Sequence, residues 1–414
     1  MGEVGGFVNI TSTPRMKDIG CEGCHGPAGA HKYSDHDLIR PGVTIASEVC
    51  GGCHTDAHHP TYDEWSESGH AQVTSELQVE FSDPVTGPAR YASCGGCHSG
   101  AARVAMLNNY KDTMAGNTNY LALPTAHDAA LYGQTCAVCH DPHVNSNPRQ
   151  LRNPIFSTNF FALSLSATTT AVYTTNAFGV ITTNIYYLNT SFVNGYNPNI
   201  QVCGQCHNNR AAVWTGTSRP PHHSPQYNIL IGAIQKDYLN GTNITRIGAH
   251  GLNPNGCAQC HMEKETPETI TDATPVYTGH RFEVSFTGCT PCHASPAAAA
   301  ELVYWKQTDT LDEINTLVGL LDTWGTNYAP AVLKTNYGRM AWETTTPGTL
   351  SNPTGDPALV GPSTTRQASV PNAIKQARYN LYMVYHDASL GVHNPSYVDF
   401  LLYNARTNIT AVSK

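Results

Sequence analysis

All fourteen cysteines of this 414-residue chain fall into seven copies of one five-residue pattern, Cys-x-x-Cys-His. The first four copies are Cys21, Cys24 and His25; Cys50, Cys53 and His54; Cys94, Cys97 and His98; and Cys136, Cys139 and His140. The other three are Cys203, Cys206 and His207; Cys257, Cys260 and His261; and Cys289, Cys292 and His293. At this composition chance supplies about 0.02 such patterns in the whole chain, so the repetition is not accidental. On one helical turn, residues i, i+3 and i+4 share a face, and each copy therefore presents two sulfurs and an imidazole side by side. Disulfides do not need the fixed His. A thioredoxin-type C-x-x-C occurs once in a domain, and structural zinc wants paired knuckles without a His after every one.

C-x-x-C-H is the attachment pattern of c-type haem: the thiols form thioethers with the porphyrin vinyl groups, and the His binds iron. The expectation is seven covalently bound c-type haems. Composition agrees with it. Hydrophobic residues make up 40% and charged residues 13%, with 35 Gly and 26 Pro. That is a poor recipe for a large aliphatic core, so the porphyrins are expected to fill the interior. Each oxidised haem with ionised propionates adds one negative charge and each reduced haem adds two. The formal charge of −8 then becomes about −15 or −22, which favours a cationic redox partner by steering.

Several classes are excluded. No run of about 18 apolar residues exists, so no transmembrane segment is expected. A sequence pI near 6.2 without a Lys/Arg cluster excludes nucleic acid as a main partner. There is no Walker loop, no GxGxxG after a strand and no GxSxG elbow. The N-terminus, MGEVGGFVNITSTPR, lacks the basic start and apolar stretch of a signal peptide. Haem is attached to such motifs outside the cytoplasm. The expected location is therefore extracellular or at the cell surface, with the periplasm as second choice and the export signal absent from this numbering.

Twenty histidines leave thirteen beyond the motifs, and full bis-His ligation of seven irons needs seven of them. Position ranks the thirteen. His127 and His280 each precede a motif by nine residues, and His250 precedes one by seven. His143 and His31 follow motif histidines closely, too near to bend back to the same iron, and are expected to reach an adjacent haem. His70, His222 (beside His223) and His393 complete the set, eight sites for seven vacancies. Ordinary surface or core roles are expected for His36, His58, His59 and His386. Ample ligands favour six-coordinate haems that carry electrons over an open haem that binds substrate.

Six segments carry a resemblance to a known family: CGGCHTDAHHPTYDEWSESGHA, CAVCHDPH, RPPHHSPQ, CAQCHM, TGHRF and DASLGVHNP. From about residue 20 onward the chain resembles the multihaem c-type cytochrome superfamily that includes hydroxylamine oxidoreductase, pentahaem nitrite reductase and octahaem tetrathionate reductase. The resemblance implies distal ligands at His70, His222, His250, His280 and His393, and closely packed haems forming a wire. The chain departs from those enzymes in having seven motifs and no lysine-ligated haem. It is more loosely similar to outer-surface cytochromes that polymerise into filaments, which share CHDPH segments, few charges and much Thr, Gly and Tyr.

The expected fold is mainly α and irregular, loop-rich, with haems as its core. Residues 1–293 form the haem region, interrupted by a haem-free insertion at about 150–200. There, two β-prone runs around Asn176–Gly179 predict a β-hairpin. Residues 294–414 form a helical region that supplies a distal ligand. Ser295-Pro296 starts one helix, a second runs over about 372–387, and Asn394-Pro395 starts a third; 326–371 reads as loop. The function expected is an extracytoplasmic heptahaem electron carrier, not an enzyme. Its partners are redox proteins or other copies of itself, with a homopolymeric filament as an extension. The alternative is a reductase or oxidase of a small nitrogen or sulfur compound at one open haem.

Overall fold

The computed structural model describes residues 20–26, 44–114, 125–144, 147–152, 162–163, 170–175, 181–190, 202–234, 244–245 and 247–414. The chain forms two compact units, each built from two stretches: Met1–Ile155 with Cys257–Gly288, and Phe156–Gly256 with Cys289–Lys414. The division does not fall at residue 293. The sixth motif joins the first four, while the fifth and seventh join the C-terminal helices. Specific bonds hold the sixth-motif segment in the first unit. Val276 N donates to Ala57 O at 2.8 Å, and Thr278 N donates to Glu64 Oε1 at 2.7 Å.

In the first unit short helices alternate with turns: α1 (Thr61–Glu67), α2 (Ser75–Ser82), α3 (Gly87–His98), α4 (Gly100–Met114) and α5 (Ala126–Leu131). Pro88 sits in the first turn of α3, where its missing N–H costs nothing. Thr125 caps α5 by accepting from Asp128 N. Val73, Phe81, Tyr91, Ala129 and Ala130 form a small buried cluster, and Ala101, Ala102, Val104 and Leu107 of α4 are buried as well.

The second unit carries the haem-free insertion. Strands β1 (Ala162–Leu163), β2 (Thr170–Thr175), β3 (Ile181–Thr190) and β4 (Ile244–Thr245) form one antiparallel sheet with β3 central. β2 and β3 pair from Thr170↔Tyr186 to Thr175↔Ile181, as a hairpin requires. The turn at Asn176–Gly179 lies outside the described residues.

Helix α6 (Gln226–Leu230) leads to the C-terminal helices α7 (Pro296–Thr323), α8 (Ala331–Tyr337), α9 (Asn372–His386) and α10 (Pro395–Ala411). Ser295 Oγ accepts from Ala298 N and Asn394 Oδ1 from Tyr397 N, so the expected caps form. Ile314, Leu317 and Leu321 of α7 meet Ile374, Ala377, Leu381 and Val384 of α9 and Val398, Leu401, Leu402 and Ala405 of α10 in one buried core. Two features differ from the periodicity reading. Leu302 and Trp305 continue the α7 stripe but are 55% and 59% exposed. The stretch read as loop holds α8, which buries Leu333. Among the described residues no helix is long and apolar enough to cross a membrane.

Candidate haem-binding sites

Each motif winds as a helical turn. His54, His140, His207, His261 and His293 donate their backbone N–H to the first cysteine of their own motif at 2.9–3.1 Å. The second cysteines Cys53, Cys206, Cys260 and Cys292 make the tighter i→i+3 bond, donating N–H to Cys50 O, Cys203 O, Cys257 O and Cys289 O at 3.0–3.4 Å. Cys24 lies inside the single turn Cys21–His25, and Cys94, Cys97 and His98 end α3. Cys139 closes the turn Cys136–Cys139, and its carbonyl accepts from Arg152 N at 2.8 Å. Two sulfurs and an imidazole therefore share a face in every copy, the geometry expected from the spacing.

None of the fourteen cysteines is joined in a disulfide, and none is buried. Cys24, Cys53 and Cys292 are exposed, while Cys97, Cys139, Cys206 and Cys260 are half-buried. Each sulfur pair is thus accessible to a porphyrin edge. Cys50 and Cys136, from the second and fourth motifs, lie within hydrogen-bond reach of each other.

The histidines share a second feature. His140 Nδ1 lies 2.8 Å from Arg149 O, His261 Nδ1 3.0 Å from Phe282 O, His250 Nδ1 2.6 Å from Val392 O and His386 Nδ1 2.8 Å from Pro221 O. A carbonyl oxygen only accepts, so each Nδ1 carries the proton and donates it. His280 Nδ1 has Thr278 O at 3.2 Å and Thr278 Oγ1 at 3.1 Å, and the Thr278 hydroxyl donates onward to Glu64 Oε2. His222 Nδ1 lies 3.1 Å from Ser224 Oγ, whose own proton goes to Asn208 O. His207 Nδ1 faces Gln226 Oε1 at 3.4 Å, and that amide is oriented by donating Nε2 to His386 O and Asp387 O. His393 Nδ1 donates to Asp387 Oδ1 at 2.7 Å. With Nδ1 donating, the neutral ring carries its lone pair on Nε2, the state in which imidazole binds a metal.

Burial moves these rings further toward the neutral form. It lowers His140, His280 and His386 below the ordinary histidine range, against the pull of the carbonyls they donate to. His393 is the contrast. Burial opposes its protonation too, but the Asp387 carboxylate outweighs it and holds the ring above that range.

Some rings face one another. Two imidazoles on opposite faces of one iron, with metal–nitrogen bonds of about 2.0 Å, have ring centres roughly 6 Å apart. His140 and His280 are 6.5 Å apart, His250 and His293 6.2 Å, and His25 and His143 5.9 Å. In each pair a motif His meets a candidate distal His that belongs to no motif or to the approach of another. His54 and His59 are also 6.3 Å apart. Four intervening residues are too few to pass around a porphyrin, and His59 sits in a local turn built on Asp56 Oδ1.

The remaining candidates are placed differently. His31 lies outside the described residues. His70 stands edge-on to Phe282 at 4.3 Å. Its backbone is pinned by Gln134 N, which donates to His70 O, and by Gly133, where a Cβ would lie 2.5 Å from that oxygen. His127 is exposed in the first turn of α5. His222 and His223 stack at 4.4 Å. His386, read as an ordinary side chain, has the same anchored Nδ1 as the others and lies 6.3 Å from His223. The signal that finds it is position: it follows Tyr382 by one helical turn on α9, and that helix is buried nearly all round from Ile374 to Val384. Beside His222 a cavity of about 320 Å³ is lined by Arg210, Arg219 and Arg378. Guanidinium groups so placed suit carboxylates such as haem propionates.

Comparison with known proteins agrees with the motifs. Residues 187–317 match the family model of outer membrane cytochrome MtrC/MtrF-like, domains II/IV, and residues 1–26 match that of cytochrome c554 and c-prime. The chain is similar to the multiheme cytochrome MtrA of Shewanella baltica (strain OS185), 27% identical over 164 residues, which covers 36% of this chain and 43% of that protein. The chain thus matches less than half the length of that curated relative. Its fold is similar to the outer cell wall cytochrome OcwA, with a TM-score of 0.55 and 16% identity over 94% of this chain and 70% of that one. It is also similar to an undecaheme cytochrome from the S-layer of Carboxydothermus ferrireducens, with a TM-score of 0.53 and 19% identity over 95% of this chain and 50% of that one. The matched families, the relative and the similar folds are all multihaem cytochromes. Covalently bound haem is what those relatives imply for the chain.

Proposed function

We propose that the protein is a heptahaem electron carrier working outside the cell or at its surface, with haems ligated by two histidines each. One observation carries the reading: motif and non-motif histidines alike have Nδ1 anchored to an acceptor, and several face each other at the span of one iron. Each bound haem supplies a one-electron Fe(III)/Fe(II) couple. The protein's residues fix where those couples sit. The motif cysteines would hold each porphyrin covalently, and paired imidazoles would ligate its iron and leave no place there for a substrate. Cys50 beside Cys136 supports close approach of the second and fourth haem edges. Within this reading the proximal ligands are the seven motif histidines. The distal ligands are drawn from His31, His70, His127, His143, His222, His250, His280 and His393, with His386 added by its geometry.

The names of the similar proteins, which speak of outer membrane, outer cell wall and S-layer, support a surface location. The partners proposed are cationic redox proteins and other copies of this chain. Assembly into a conductive homopolymer is the finer proposal, supported by the exposed Leu302, Tyr304 and Trp305 on α7 and by a surplus of imidazoles. Haem content, absorption and low-temperature EPR of the purified protein test the reading. Seven haems with low-spin signals throughout are expected. A high-spin ferric signal that responds to nitrite or hydroxylamine overturns the carrier in favour of an enzyme. A monomer at every concentration in light scattering overturns the polymer alone.

A further inference from the structure

Between α9 and α10 the chain runs through a loop with unusual backbone. Ala388 has φ 62°, Leu390 φ 48° and Gly391 φ 96°. Two of these are non-glycine residues in the left-handed region, an arrangement that persists only when its surroundings impose it. The surroundings are specific. At Gly391 a Cβ would lie 2.6 Å from Lys306 Cε and 2.9 Å from Thr310 Oγ1, so the loop lies hard against α7. Gln307 Nε2 donates to Ser389 O, and Asn394 Nδ2 donates to Ile229 O and Leu230 O.

The strained turn brings Asp387 under His393. The Asp387 side chain is fully buried. Its Oδ1 accepts from His393 Nδ1 at 2.7 Å, and its Oδ2 accepts a short hydrogen bond from the Ser389 hydroxyl. Ser389 Oγ in turn accepts from His393 N. The neighbouring His250 donates instead to the neutral carbonyl of Val392, and His386 to that of Pro221. Among the anchored imidazoles described above, His393 is the one whose direct acceptor is a carboxylate.

We propose that Asp387 is a positioning residue that sets reduction potential: it turns His393 Nε2 toward a haem iron and holds that haem lower in potential than those whose ligands donate to carbonyls. The inference rests on the reading of His393 as a distal ligand. A buried carboxylate on Nδ1–H gives the imidazole partial anionic character, which stabilises ferric iron over ferrous iron. Ser389 moderates this by sharing the carboxylate's charge through its own hydrogen bond.

Spectroelectrochemical titration of the holoprotein and its variants, with EPR, tests the proposal. Asp387→Asn is expected to keep every haem and the low-spin spectrum. At fixed potential it should raise the reduced-to-oxidised ratio of one haem about tenfold, a shift of about 59 mV for a one-electron couple. Ser389→Ala is expected to move the same haem the other way, a sign that loosened packing does not produce. His393→Ala is expected to give a high-spin ferric signal. If His393→Ala is high-spin but Asp387→Asn leaves all potentials unchanged, the proposal fails and the ligand reading stands. If His393→Ala stays wholly low-spin, both fail. Should Asp387→Asn yield no folded holoprotein, Ser389→Ala decides, and an unchanged or raised potential overturns the proposal.

Discussion

The two units solve the problem of an interior by opposite means. Among the described residues the first holds five C-x-x-C-H motifs, the small cluster around Phe81 and Tyr91, and a mostly small-residue buried face on α4 made by Ala101, Ala102, Val104 and Leu107. The second holds two motifs and a continuous core in which Leu317, Leu321, Trp324, Trp342 and Tyr382 are buried. Apolar area sets how much stability a unit has without its cofactor. The first unit should therefore depend on its porphyrins for integrity, and the second should not.

The largest effect tests that contrast directly. Replacing Cys94 and Cys97 by Ala removes the sulfurs with which the third motif, at the end of α3, would hold its haem. Amide exchange read by mass spectrometry should then show protection collapsing in residues 44–114 while α9 and α10 keep theirs. Equal loss in both units would break the comparison. Next in size is the mirror experiment. Leu317→Ala in the second unit should cost about 2–5 kcal/mol, because the packed helices around it cannot close the cavity. Urea unfolding followed by pulse proteolysis reads the two units separately, and the loss should appear in the second.

A smaller effect concerns ligand support in the first unit. Glu64 is 5% exposed and accepts from Thr278 N, Thr278 Oγ1 and His280 N at 2.7–2.8 Å. Glu64→Ala leaves those half-buried donors without this acceptor, at a cost of about 1–3 kcal/mol each at most. We expect a high-spin ferric signal from a displaced His280, reversed by added imidazole. A wholly low-spin variant that is merely less stable would show that Glu64 supports the fold and not the ligand.

The parts of this architecture legible in the sequence are those set by local rules. The motif turns follow from i, i+3, i+4 spacing, and the starts of α7 and α10 follow from Ser295-Pro296 and Asn394-Pro395. What is not legible depends on long-range contacts. Nothing local says that Cys257–Gly288 leaves its neighbours for the first unit; the reason is Glu64 and Ala57, two hundred residues away in sequence. The anchoring of His386 Nδ1 to Pro221 O is not legible because periodicity marks one face of α9, whereas the helix is buried nearly all round. Leu302 and Trp305 are legible as a stripe but not as an exposed one.

The smallest effect sets the units against each other in pH. In the second unit, burial pushes the Glu343 carboxyl above its ordinary range, and the donors Tyr382, Ser351 and Thr344 N with nearby Arg378 only partly offset it. Its folded state binds the proton more tightly than the unfolded chain. Stability from this group is thus full below about pH 4.3, the unfolded value, and is lost as pH rises toward the folded value. In the first unit Asp56 and Asp83 are held below the ordinary range by backbone N–H groups, of His58 foremost for Asp56 and of Thr86 foremost for Asp83. Their contribution is present above about pH 3.9 and is lost as pH falls through the folded values. Pulse proteolysis in urea between pH 3 and pH 6 should therefore give slopes of opposite sign for the two units. Glu343→Gln should flatten the slope of the second alone, since the amide cannot titrate. A slope in the second unit that Glu343→Gln leaves unchanged would assign its pH response to other groups.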